Sequence, residues 1–180
     1  MKLNISLTRK GDVQKAIEAL EEYKRKLVDK ETLFCQRLAE IGVMAASAKL
    51  STGDGDSSRL ASFSIDFIAG GENVSCVLSI TSVPNILEDG RTYYPHLGWE
   101  FGAGIYYNNG NVHPKAHELG MGVGTFPDQT NAMYNHWWYR DEGGNLHLSR
   151  GTQATMPMHT ATVEMIQNIE AIAKEVYGGR

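Results

Sequence analysis

Six histidines, His96, His113, His117, His136, His147 and His159, are the side chains best suited to chemistry near neutral pH. The most suggestive local run is His117-Glu118-Leu119-Gly120-Met121. A zinc-peptidase helix needs a second histidine four residues after the first, so that both imidazoles share one face with the glutamate as base. Met121 occupies that place, and Gly120, Gly122 and Gly124 would unravel such a helix. The motif is rejected. His113 and His117 are also four apart, and Pro114 permits a short helical turn between them. With His136 or His147 they could complete a three-histidine zinc site, but no carboxylate or cysteine spacing supports one. No metal is expected, and histidines hydrogen-bonded in loops or facing solvent account for the pattern.

Other motifs fail on similar grounds. Gly102-Ala103-Gly104 begins like a dinucleotide fingerprint, but Tyr107 takes the third glycine's place and no parallel βαβ pattern surrounds it. The glycines at 120, 122 and 124 lack the Gly-Lys-Ser/Thr ending of a phosphate loop. No nucleophile elbow is present, and nothing singles out a nucleophile. No cofactor and no catalytic residue are expected. Glu100, Glu118, Asp128, Asp141 and Glu142 could supply a glycosidase pair, with Trp99, Trp137, Trp138 and nearby tyrosines stacking on sugar. That carbohydrate-binding or glycoside-active reading of the aromatic-rich 93–139 segment is the alternative. Aromatic residues on short strands and loops equally fill a thin core or a protein interface. Tyr106, Tyr107, Trp137 and Trp138 are the candidate interface residues.

The 180 residues carry 17 basic and 21 acidic side chains, and 42% are hydrophobic, ordinary usage for one globular domain over 1–180. Residues 1–50 hold a net charge of +3, which leaves −7 for the rest. A body that acidic argues against general nucleic-acid affinity, since phosphate binding needs clustered Lys and Arg. The longest apolar stretch, Ile41 to Ala48, is far shorter than the ~20 residues of a membrane span, and the opening residues show no signal-peptide core. Neither a membrane nor a secretory route is expected. Cys35 and Cys76 lie far apart without a CxxC partner and are expected as buried, reduced thiols.

Stepping from Val13 to Ala48, apolar residues recur at alternating intervals of four and three: Val13, Ile17, Leu20, Leu27, Phe34, Leu38, Ile41, Ala45 and Ala48. This predicts a helical arm over 10–50, continuous for ~54 Å or split into two helices near Asp29–Glu31. Gly11-Asp12 is a plausible N-cap. An arm that long overhangs its own core and packs on something else. Period-two alternation from Ala61 to Phe67 and from Val74 to Ile80, around Gly70-Gly71-Glu72-Asn73, predicts a hairpin that Pro84 ends. Residues around Trp99 to Tyr107 read as a short strand, and about 106–135 as a long irregular loop. Two strands follow around Glu142-Gly143-Gly144-Asn145, and a helix over 157–177 starts at Pro157 with Met158, Ala161, Met165, Ile169, Ile172 and Val176 as its stripe. The expected class is α+β, with an antiparallel sheet of about four or five strands over 59–150.

That order of segments resembles the gene-product-ten family of lambda-like long-tailed phages, neck or tail-completion components that join head to tail. The family's Arg-Leu and Ser-Ile strand is similar to Arg59, Leu60, Ser64 and Ile65. Its Glu-Phe-Gly-small segment is similar to Glu100, Phe101, Gly102 and Ala103. Its closing Gly, small residues and Pro-hydrophobic helix start are similar to Gly151, Ala154, Pro157, Met158 and Ala161, with Met158 in place of the usual aromatic. The resemblance covers about residues 10–177 and implies a non-catalytic structural protein of the virion, made in the bacterial host cytoplasm. It implies ring assembly with copies of itself and contact with neighbouring neck or tail proteins. DNA would pass without being specifically held.

Overall fold

No proline occurs before Pro84, so nothing in the first third of the chain forces a helix to break. The computed structural model describes residues 10–52, 60–70, 73–86, 90, 92–102, 113–116, 118–119, 137–140, 143–149 and 153–178. Helix α1 (Lys10–Ser51) runs unbroken for 42 residues, about 63 Å, and does not split at Asp29–Glu31. Asp12 lies in its first turn and not at the cap. Pairs four residues apart line its exposed face, among them Glu22–Lys26 at 2.6 Å and Gln36–Glu40 at 2.9 Å. Exposed pairs of this kind add little to the stability of the helix.

Strands β1 (Ala61–Gly70) and β2 (Asn73–Ser82) form the expected antiparallel hairpin. Phe63 lies opposite Ile80, Ile65 opposite Leu78 and Phe67 opposite Cys76. Because side chains alternate along a strand, Phe63, Ile65, Cys76, Leu78 and Ile80 share the half-buried face. Ser62, Ser64, Asp66, Ser75 and Thr81 stand exposed on the other.

The remaining strands are β3 (Asn85–Ile86), β4 (Thr92–Tyr93), β5 (Trp137–Arg140) and β6 (Leu146–Ser149). Among the described residues pairing is β1 with β2, β3 with β4 and β5 with β6, which gives three antiparallel ribbons where a single sheet of about four or five strands was expected. Pro84, two residues past the end of β2, has no N–H to donate to a continuing ladder. The Trp99 segment is also not a strand. Pro95 occupies the first turn of helix α2 (Pro95–Phe101), which buries Trp99 and Phe101. Gly102, at φ 78°, closes that helix by donating its N–H to the Gly98 carbonyl, a conformation costly for any side chain bearing a Cβ. Helix α3 (Pro157–Tyr177) ends the described chain. The class is therefore mixed α+β, built on a long first helix, antiparallel strand pairs and a last helix.

Helix α3 runs antiparallel to the second half of α1. Phe34 meets Tyr177 with ring centroids 5.9 Å apart, Arg37 faces Glu175, and Gly42 faces Met165. The deepest line on α1 is Ala39, Gly42, Ala46 and Leu50, one residue round from the expected stripe of Leu38, Ile41, Ala45 and Ala48. The helix wedges between β2 and α3, so small residues occupy the point of closest approach while larger ones flank it. A Cβ on Gly42 would lie 2.8 Å from Leu78 Cδ2 and 3.0 Å from Met165 Sδ.

Gly42 costs the helix about 1 kcal/mol relative to alanine. Gly42→Ala is expected to be nearly neutral, because that gain offsets the displacement of two flexible side-chain ends. Gly42→Leu overfills the junction and should lose about 3 kcal/mol in chemical denaturation. Equal stability of the two variants would show that α1 does not approach β2 and α3 this closely.

Candidate functional site

Helix α3 begins without a side-chain cap. Its N-cap, Met156, is apolar and sits in the left-handed region at φ 54°, and Pro157 locks the first helical position. The first turn's N–H groups therefore need acceptors from elsewhere. Glu100 supplies them. Its Oε2 accepts the Met158 N–H at 2.7 Å and its Oε1 the His159 N–H at 2.8 Å. The adjacent Trp99 carbonyl accepts the N–H groups of Thr155 and Met156, at 2.8 and 3.1 Å, and the Thr155 hydroxyl at 3.2 Å. A carboxylate also complements the positive end of the helix dipole.

His113 completes the cluster. Its Nε2 lies 3.0 Å from Glu100 Oε1, and its ring rests against Phe101 and edge-on to His159. The backbone N–H of Lys115 donates to His113 Nδ1 at 3.1 Å. An Nδ1 that accepts leaves the proton on Nε2, which donates to Glu100. Burial holds the His113 pKa below its ordinary value; Glu100 opposes that shift, and His159 and Lys115 reinforce it. Burial likewise lowers His96, whose Nδ1 lies 2.9 Å from the Ser82 hydroxyl. Each side-chain oxygen of Glu100 and each ring nitrogen of His113 thus has a partner, and the arrangement joins three segments of chain.

This places Glu100, Phe101, Ala154 and Pro157 in one junction, all buried, with Gly102 at its edge. Leu60 is exposed. Arg59, Tyr106, Tyr107 and Gly151 lie outside the described residues, as do His117, His136, Asp128, Asp141 and Glu142 and most of the 106–135 segment. Trp137 pairs with Ser149, and Trp138 pairs with Leu148. Trp138 is 61% exposed, and Leu146 and Leu148 stand exposed on the same ribbon. Trp99 is buried in the core, out of reach of a sugar ring, and Glu118 is an exposed turn residue. Among the described residues no three His, Cys, Asp or Glu side chains converge as a metal cluster would require. The sequence reading weighed Glu100 as an acid catalyst and His113 as a metal ligand, and missed the bond between them. The available signal was the apolar Met156 before Pro157, a helix start that must borrow its acceptors.

A second feature lies on α1. Tyr177 ends α3 beside Phe34, so residues 10–30 of α1 continue about 30 Å beyond it. Along that arm Val13, Ile17, Leu20 and Leu27 are exposed, Leu20 by 60%. They keep the four-and-three spacing of Phe34, Leu38, Ile41 and Ala45, the positions that flank the junction with α3. Among the described residues no helix is long and apolar enough to cross a membrane.

Two outcomes test the junction. Glu100→Ala strands two part-buried N–H groups and should cost about 3 kcal/mol in denaturant unfolding, while Glu100→Gln, which keeps one acceptor oxygen, should cost about half that. The lowered histidine pKa values mean that the unfolded chain takes up protons at higher pH than the folded one. Stability is then complete above the unfolded value of about 6.5 and is lost as pH falls through the folded values. The melting temperature should drop between about pH 7 and pH 5. His113→Gln should be less stable at neutral pH yet show a flatter acid limb, and an unchanged pH profile would contradict the assignment.

Compared with known proteins, the chain matches no family model, no curated protein and no solved structure.

Proposed function

We propose that this chain is a non-catalytic structural component of a tailed bacteriophage or prophage, joining head and tail through ring assembly with its own copies and neck or tail neighbours. The observation that carries the reading is the α1 arm. A helix that projects about 30 Å past its partner while presenting Val13, Ile17, Leu20 and Leu27 to solvent is built to be covered by another chain. The exposed ribbon face of Trp138, Leu146 and Leu148 adds a second apolar surface of the kind interfaces use. The Glu100 junction supports the same reading, since its buried carboxylate is occupied in capping a helix. The segments joined there, Glu100–Gly102 and Ala154–Pro157, are those that resemble the phage family. Assembled in the virion, the acidic body would let DNA pass without holding it.

The exposed Trp138 ring is the observation that favours the carbohydrate-binding alternative. Glycan binding that saturates and disappears in Trp138→Ala would select it.

Ile17→Asp combined with Leu20→Asp should abolish self-association in sedimentation at high protein concentration while leaving the monomer's melting temperature within about 2 °C, since both side chains lie outside the core. In the phage that carries the gene, deletion should leave filled heads and separate tails in electron micrographs. Joined, infectious particles from the deletion would overturn the proposal.

A further inference from the structure

The two cysteines, 41 residues apart in sequence, meet across the contact between α1 and β2. Cys76 Sγ lies 3.5 Å from the Cys35 carbonyl oxygen, and Cys35 Sγ lies 3.8 Å from the Val74 carbonyl oxygen. Each sulfur therefore rests on the other's element. Cys35 and Gly42 are seven residues apart on one face of α1, and Cys76 and Leu78 two apart on one face of β2. Gly42 and Leu78 pack in the same helix–strand seam, where a Cβ on Gly42 would lie 2.8 Å from Leu78 Cδ2, and the sulfur-to-carbonyl contacts set each cysteine side chain against the backbone of the other element. Both residues are free and half-buried, so a small reagent reaches them.

We propose that Cys35 and Cys76 form a dithiol site that a small-molecule disulfide oxidises to an intramolecular bond between α1 and β2. The Cys35 thiolate attacks one sulfur of the reagent, forming a mixed disulfide and releasing one thiolate. Cys76 then gives its proton to solvent and attacks Cys35 Sγ, which expels the second thiolate. Two protein thiols are oxidised, and one reagent disulfide is reduced to two thiols. Burial and the neighbouring Cys35 push the Cys76 thiol up, so that less of it is thiolate for the first attack. The bond closes a long loop and ties the first helix to the hairpin, an entropic constraint on the unfolded chain.

The test treats the full chain with oxidised glutathione and follows intact mass, free thiols counted after denaturation, and melting with and without reductant. The expected product is a monomer lighter by two hydrogens with no free thiol, yielding a peptide that links Cys35 to Cys76. Its melting temperature should lie about 10 °C above that of the reduced protein. Cys76→Ser should stop at a stable glutathione adduct on Cys35, and Cys35→Ser should react far more slowly. Persistence of both thiols, a lasting glutathione adduct on the unmodified sequence, or a disulfide between two chains would each overturn the proposal.

Discussion

Helix α3 has to begin somewhere that its first N–H groups are satisfied, and its own sequence provides no acceptor there. Met156 cannot cap, and Pro157 fixes the start. Glu100 and the Trp99 carbonyl, more than fifty residues earlier, fill that need together. The consequence is architectural. The end of α2 is bound to the start of α3, His113 is drawn in beside the carboxylate, and α3 is aimed back along α1. A buried acid with two backbone donors and an imidazole donor is costly to disturb, since removing it leaves unsatisfied groups in a dry environment. The left-handed Met156 persists because the surrounding bonds over-determine it.

The second constraint is steric. Where α1 passes between β2 and α3, its central positions are Ala39, Gly42 and Ala46, and the close approach they allow brings Cys35 against Cys76 in the same seam. Beyond Phe34 the helix leaves its partner behind. One element therefore does two jobs: its second half builds the domain, and its first half carries an apolar stripe that the domain leaves exposed. A change in the arm is expected to alter association, and a change in the seam to alter folding.

The strongly periodic elements were legible from residue order alone. The four-and-three spacing from Val13 to Ala48 marked α1, the alternation around Gly70–Asn73 marked the β1–β2 hairpin, and Pro157 marked the start of α3. Local pattern said less where tertiary partners decide. The Trp99 segment is helical because Pro95 starts it and burial of Trp99 and Phe101 holds it, although its aromatic composition suggests a strand. The deepest face of α1 was misplaced by one residue because small side chains carry little apolar signal while permitting the closest contact. The strands after Pro84 form separate ribbons, a matter of edge pairing that alternation does not encode. At the junction, Glu100 and His113 each suggested chemistry singly. Their meeting depends on a helix start whose need for acceptors is visible only as the lack of a capping residue.

The bonds from Glu100 to α3 are the centre of this account, and amide hydrogen exchange of Met158 and His159 addresses them directly. Helix first turns ordinarily fray and exchange through small openings. Clamped by the carboxylate, these two amides should exchange only as slowly as the most protected core amides of α1, through global unfolding. Rapid exchange of both, with the middle of α3 still protected, would show that Glu100 does not hold the helix and that the junction is not what organises the fold.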